Sequence, residues 1–253
     1  VISGGEAVLG GAVYVGAGAT FTASNSTFTG NYASSNGGAI YVSNNATASI
    51  KNTTFNGSAS RNDAQNGGAI YNNGKLSISG GSFEDFDVSA NGGAIYNAGG
   101  SLTVTDGTVF DSNTAANGGA IYNAGGSLNV TGGSFDSNTA TANGGAIYNA
   151  GGSLNVAGGS FDSNTAANGG AIYNIGGTLT LKNGTFSLNN ATSGNGGAIY
   201  NDGGNLSVNG VTFTSNIASL DGGSIYNAGG TLNISNSTFK GTGSGDAQNG
   251  GAI

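Results

Sequence analysis

Asp111, Asp136 and Asp162 fill the same slot of a recurring tetrapeptide, Phe-Asp-Ser-Asn. Carboxylates stacked in one column about 5 Å apart repel one another, and a hard cation such as Ca2+ would relieve that repulsion. Glu84, Asp85 and Asp87, in Glu-Asp-Phe-Asp, come just before the column. The same aspartates also read as solvated turn residues, favoured there by local hydrogen bonds, and the calcium-binding nonapeptide repeat is absent. Ca2+ is thus the one cofactor these residues suggest, against a turn reading that needs none.

Catalysis has less to draw on. The chain of 253 residues has no histidine and no cysteine, which removes nucleophile–base pairs of those types. Its five basic residues, Lys51, Arg61, Lys75, Lys182 and Lys240, fall at scattered positions, so no cluster of acids with Lys or Arg forms. A protein that is not an enzyme is expected. Twelve acidic residues give a net charge of −7, which disfavours nucleic acid and anionic membrane surfaces as partners. No apolar run is long enough for a transmembrane helix, and the absence of cysteine fits a bacterial surface protein.

The elements that carry these residues follow from a repeat. Gly-Gly-Ala-(Ile/Val)-Tyr recurs with tyrosines at Tyr14, Tyr41, Tyr71, Tyr96, Tyr122, Tyr148, Tyr173, Tyr200 and Tyr226, about 26 residues apart. After each comes a short alternating segment, such as Ser-Leu-Asn-Val, and then a phenylalanine: Phe28, Phe55, Phe83, Phe110, Phe135, Phe161, Phe186, Phe213 and Phe239. Alternation with period 2 sends Leu and Val to one face. Glycine pairs every dozen residues exclude helix. Fifty-two glycines without proline or a three-residue period exclude collagen. Three short strands per rung of about 26 residues, stacked strand on strand over about nine rungs, predict a right-handed parallel β-helix, an all-β solenoid. The inward group of Ala-Ile-Tyr is either Ile or the Ala and Tyr pair; Ile is the choice, because the Ala position accepts Ser224.

Asparagine fills three further columns. One follows the tyrosine, at Asn72, Asn97, Asn123, Asn149, Asn174, Asn201 and Asn227. Another precedes the glycine pair, and a third sits in Phe-x-x-Asn at Asn31, Asn113, Asn138, Asn164, Asn189 and Asn216. Asn tolerates left-handed backbone, and its amide can bond the identical amide one rung away. These columns and that of Phe110, Phe135, Phe161 and Phe186 are expected to be structural ladders. Tyr96, Tyr122, Tyr148, Tyr173 and Tyr200 form either core or an outward amphipathic contact strip. Outward Ser, Thr and Asn on the second strand are too mixed for an ice-binding array, and a polar outer face needs no special cause.

Gly-Gly-Ala-(Ile/Leu/Val) with Phe-x-x-Asn resembles the chlamydial-type polymorphic outer membrane protein repeat of autotransporter passengers. The likeness runs along essentially the whole chain. Phe-x-x-Asn fails at Phe55, Phe83 and Phe239, so those turns are expected to differ. The resemblance implies a cell-surface or extracellular bacterial rod serving adhesion or display, whose partner is a host or neighbouring-cell surface, a glycan or another copy. The alternative is a solenoid that assembles end to end into fibres. Residues 1–253 read as one solenoid segment, an excerpt cut within a rung at both ends, with Asp-Ala-Gln-Asn-Gly-Gly-Ala-Ile at 63–70 returning at 246–253.

Overall fold

The computed structural model describes residues 1–57, 64–241 and 251–253, without the side chain of Asp106. Arg61, Asp63 and Asp246 lie outside the described residues, as does most of the second copy of the 63–70 motif.

The described chain is all-β and its strand pairs are parallel. One rung serves for the rest: Ile121–Ala124, Ser127–Thr131, Ser134–Asp136 and Thr139–Asn143. The first strands of successive rungs form a nine-stranded sheet. Second and third strands merge into a sixteen-stranded one, because Thr47–Asn56, Lys75–Glu84 and Ser101–Asp111 run through both arcs. Register is identity on identity: Ile121 pairs Ile147, Tyr122 pairs Tyr148, Leu128 pairs Leu154 and Phe135 pairs Phe161.

A fourth short strand adds to the three read from sequence. It runs in a five-stranded sheet from Thr114–Asn117 to Ile217–Ala218. Its inward residues are alanines, Ala115, Ala140, Ala166, Ala191 and Ala218, all buried. Two residues of alternation on so small a side chain look like a turn in sequence.

The core is a set of columns. Ser127 to Val130 alternate half-buried and buried, with Leu128 and Val130 inward and Thr131 exposed. Ile121 is inward, and Ala120 joins it. Both are buried because the glycine pair before them turns the chain through a corner. Phe28 to Phe213 are buried and stack ring on ring at 4.6–5.2 Å. One rung buries Ala120, Ile121, Leu128, Val130, Phe135 and Ala140, and burying one large aliphatic or aromatic side chain stabilises by about 1.5–3 kcal/mol.

The two corner glycines are required for different reasons. Gly118 has φ of 62°, which L side chains rarely adopt. Gly119 has no such φ, but a Cβ there would run into the carbonyl oxygen of Gly145 in the next rung. One glycine serves the turn and the other the stacking.

Candidate functional site

Asn123 is wholly buried. Its amide donates to Asn149 Oδ1 at 2.7 Å and to the carbonyl of Gly126 at 2.9 Å, while its own Oδ1 accepts from Asn97 at 2.6 Å. Asn72, Asn97, Asn149, Asn174, Asn201 and Asn227 continue this chain of amides through six links of 2.6–2.7 Å. Each link but the last, to the half-buried Asn227, satisfies two polar groups that water cannot reach.

The Phe-x-x-Asn column does more. Asn138 reaches back to the Phe110 carbonyl at 3.0 Å and forward to Asn164 Oδ1 at 3.0 Å; its backbone N–H donates to that same oxygen. One side chain therefore ties three rungs together. At Phe83 the motif is interrupted, and Phe86 takes the asparagine's place. Its ring is buried against the core, and its N–H still donates to Asn113 Oδ1 at 3.3 Å.

The column before the glycine pair is half-buried and runs the other way. Asn66 donates to Asn36, Asn91 to Asn66 and Asn117 to Asn91, toward lower residue numbers. Both buried ladders donate toward higher numbers. The amide dipoles of the outer column thus oppose those of the inner two.

The tyrosines face outward. Tyr96, Tyr122, Tyr148, Tyr173 and Tyr200 are half-buried and stack at 4.7–5.1 Å, within 16° of parallel. Tyr14, Tyr41 and Tyr71 extend the strip at one end and Tyr226 at the other. Stacking hides the ring faces and leaves ring edges and hydroxyls toward solvent. Burial, with the neighbouring Tyr148 and Tyr96 adding to it, pushes Tyr122 up to about 12. Burial also pushes Tyr173 up to about 12, with the neighbouring Tyr200 and Asp202 adding to it. Tyr41, Tyr71, Tyr96, Tyr148 and Tyr200 are raised as well, burial first.

Asp111, Asp136 and Asp162 are stacked in register as a column. Ser112 donates to Asp111 at 3.3 Å, Ser137 to Asp136 at 3.0 Å and Ser163 to Asp162 at 2.9 Å. Ser187 also bonds Asp162. Burial raises the Asp111 carboxyl, with Asp136, Asp85 and Glu84 adding to it and the Ser112 hydrogen bond opposing. Among the described residues no group of three or more acidic side chains is placed to hold a metal ion. Among them, too, no helix is long and apolar enough to cross a membrane.

Five segments match the Chlamydia polymorphic membrane protein (Chlamydia_PMP) repeat: residues 25–43, 107–124, 132–150, 158–175 and 210–228. Each runs from the third strand through Phe-x-x-Asn and the glycine corner to the tyrosine, and all five keep that asparagine. No curated protein and no solved structure matches the chain. Five segments of the chain are thus similar to the polymorphic membrane protein repeat, and they fold within a parallel β-solenoid. These are features of a bacterial surface structural protein, and they are compatible with a protein that catalyses nothing.

Proposed function

We propose that the chain is a non-catalytic, surface-exposed rod that presents its tyrosine and polar ladders for adhesion or display. The observation behind this reading is the tyrosine strip. Nine aromatic side chains stay partly exposed in one line, although the apolar columns of Ala, Ile, Leu, Val and Phe in the same rungs are buried. Tyrosine combines an apolar body with a polar tip, and such residues are enriched where proteins meet partners. With the faces stacked away, the strip offers a regular row of hydroxyls and ring edges, suited to the hydroxyls of a glycan or a polar cell surface.

The test is binding of the purified chain to intact cells and to immobilised glycans, beside a variant carrying Tyr96→Ser, Tyr122→Ser and Tyr148→Ser. Loss of binding with the β-sheet spectrum retained supports the reading. Equal binding by the variant would sink it.

A second reading, end-to-end assembly into fibres, draws on the register, because identical columns pair rung on rung and the same pairing would join one stack to another. Light scattering and electron microscopy separate the two, since filaments favour the second reading and a monodisperse rod the first.

A further inference from the structure

The tyrosine column holds eight consecutive pairs of phenols at ring-centroid distances of 4.7–5.3 Å. Tyr96, Tyr122, Tyr148 and Tyr173 are in backbone register, and their rings lie within 10° of parallel. Identical side chains in register, with parallel rings, bring equivalent ring carbons opposite one another at about the centroid distance. The carbon beside each hydroxyl therefore faces the same carbon of the next rung. Tyr32, the tenth tyrosine, has no place in the column.

We propose that this column is a site of oxidative cross-linking, in which neighbouring tyrosines join through those carbons into dityrosine within one chain. The oxidant is hydrogen peroxide, used by a heme peroxidase. Each of two phenols gives up one electron and one proton, and the two phenoxyl radicals form a carbon–carbon bond. The hydrogen on each joined carbon then moves to oxygen, which restores both phenols. Two hydrogen atoms are lost in all, and one peroxide is reduced to two waters. Rotation about the side-chain bonds closes the gap, and the half-exposed outer edge leaves room for it. Radicals formed anywhere in the column have a phenol neighbour on at least one side, so coupling within the chain outruns encounter between chains at low concentration. Each link closes a ring around one rung. A solenoid held only by contacts between adjacent rungs would then no longer open one rung at a time.

The test treats the dilute full chain with hydrogen peroxide and a heme peroxidase. It reads dityrosine fluorescence, denaturing electrophoresis and peptide mass maps. The expected products are single chains with links between consecutive column residues, each link costing two hydrogens, and a half-life under protease lengthened several-fold. Tyr122→Phe keeps the ring stack without the phenol. It should abolish the Tyr96–Tyr122 and Tyr122–Tyr148 links and leave Tyr173–Tyr200. No link in the folded chain overturns the proposal. So do links that appear only after unfolding in urea, or that join separate chains or Tyr32.

Discussion

Asn123 donates to Asn149 Oδ1 at 2.7 Å and to the Gly126 carbonyl at 2.9 Å, so both hydrogens of one buried amide are used, one between rungs and one within its own. Asn123→Ala leaves Asn97 without its acceptor and Asn149 without its donor, while the Gly126 carbonyl keeps the Ser153 N–H. Each orphaned buried group costs about 1–3 kcal/mol. The expected loss is roughly 2 kcal/mol or more by urea unfolding. Asn117→Ala, in the half-buried outer column, should cost less than half as much.

Leu188 sits at φ 55° and is 57% exposed. Ser112, Ser137, Ser163 and Ser215 hold the same slot at φ of 53–55°. Left-handed backbone costs an ordinary side chain about 1–2 kcal/mol, and asparagine tolerates it. Leu188→Asn therefore stabilises the chain by about 1 kcal/mol and leaves the core packing as it is. A lower melting temperature in this variant would contradict the backbone argument.

Raised tyrosines make the rod sensitive to alkali. A phenol whose folded value exceeds its unfolded one contributes stability that is full below about pH 10 and is lost as pH rises through the folded value. With Tyr122 and Tyr173 at about 12, melting temperature should fall steeply between pH 10 and 12. Absorbance of the folded chain should show phenolate forming late. Asp111 is raised in the same sense, so its contribution favours the mildly acidic side. A single phenolate wave at the ordinary tyrosine value in the folded chain would contradict this assignment.

The aspartate column is expected to behave as turns. Serines already bond Asp111, Asp136 and Asp162, and no described acidic group is arranged for a metal. Millimolar Ca2+ should leave the melting temperature unchanged and give no heat on titration. A rise that disappears in Asp136→Asn would restore the calcium site.

Much of the fold was legible because the repeat announces its own register. Leu128, Val130 and Phe135 alternate with polar neighbours, so their inward face follows from period 2 alone. The corner was harder. Ala120 and Ile121 are adjacent yet both buried, which strict alternation forbids and a glycine turn allows. The fourth strand was hidden by its short alternation on alanine. Phe86 replaces an asparagine and keeps the backbone bond to Asn113, so a break in the motif did not break the ladder. That the outer asparagines donate opposite to the inner ones depends on amide orientation, which residue spacing does not encode.

The central claim is that each rung is held by the identical rung on either side. Hydrogen exchange read peptide by peptide, in the native chain and in Phe135→Asp, tests it most directly. A carboxylate forced into the phenylalanine column has no partner there, and burying it costs several kcal/mol. Strong protection is expected throughout the native stack. In the variant, protection should be lost first over residues 127–136 and the paired stretches 101–111 and 153–162, with protease cutting there. Unchanged exchange across residues 127–136 in the variant would contradict the claim.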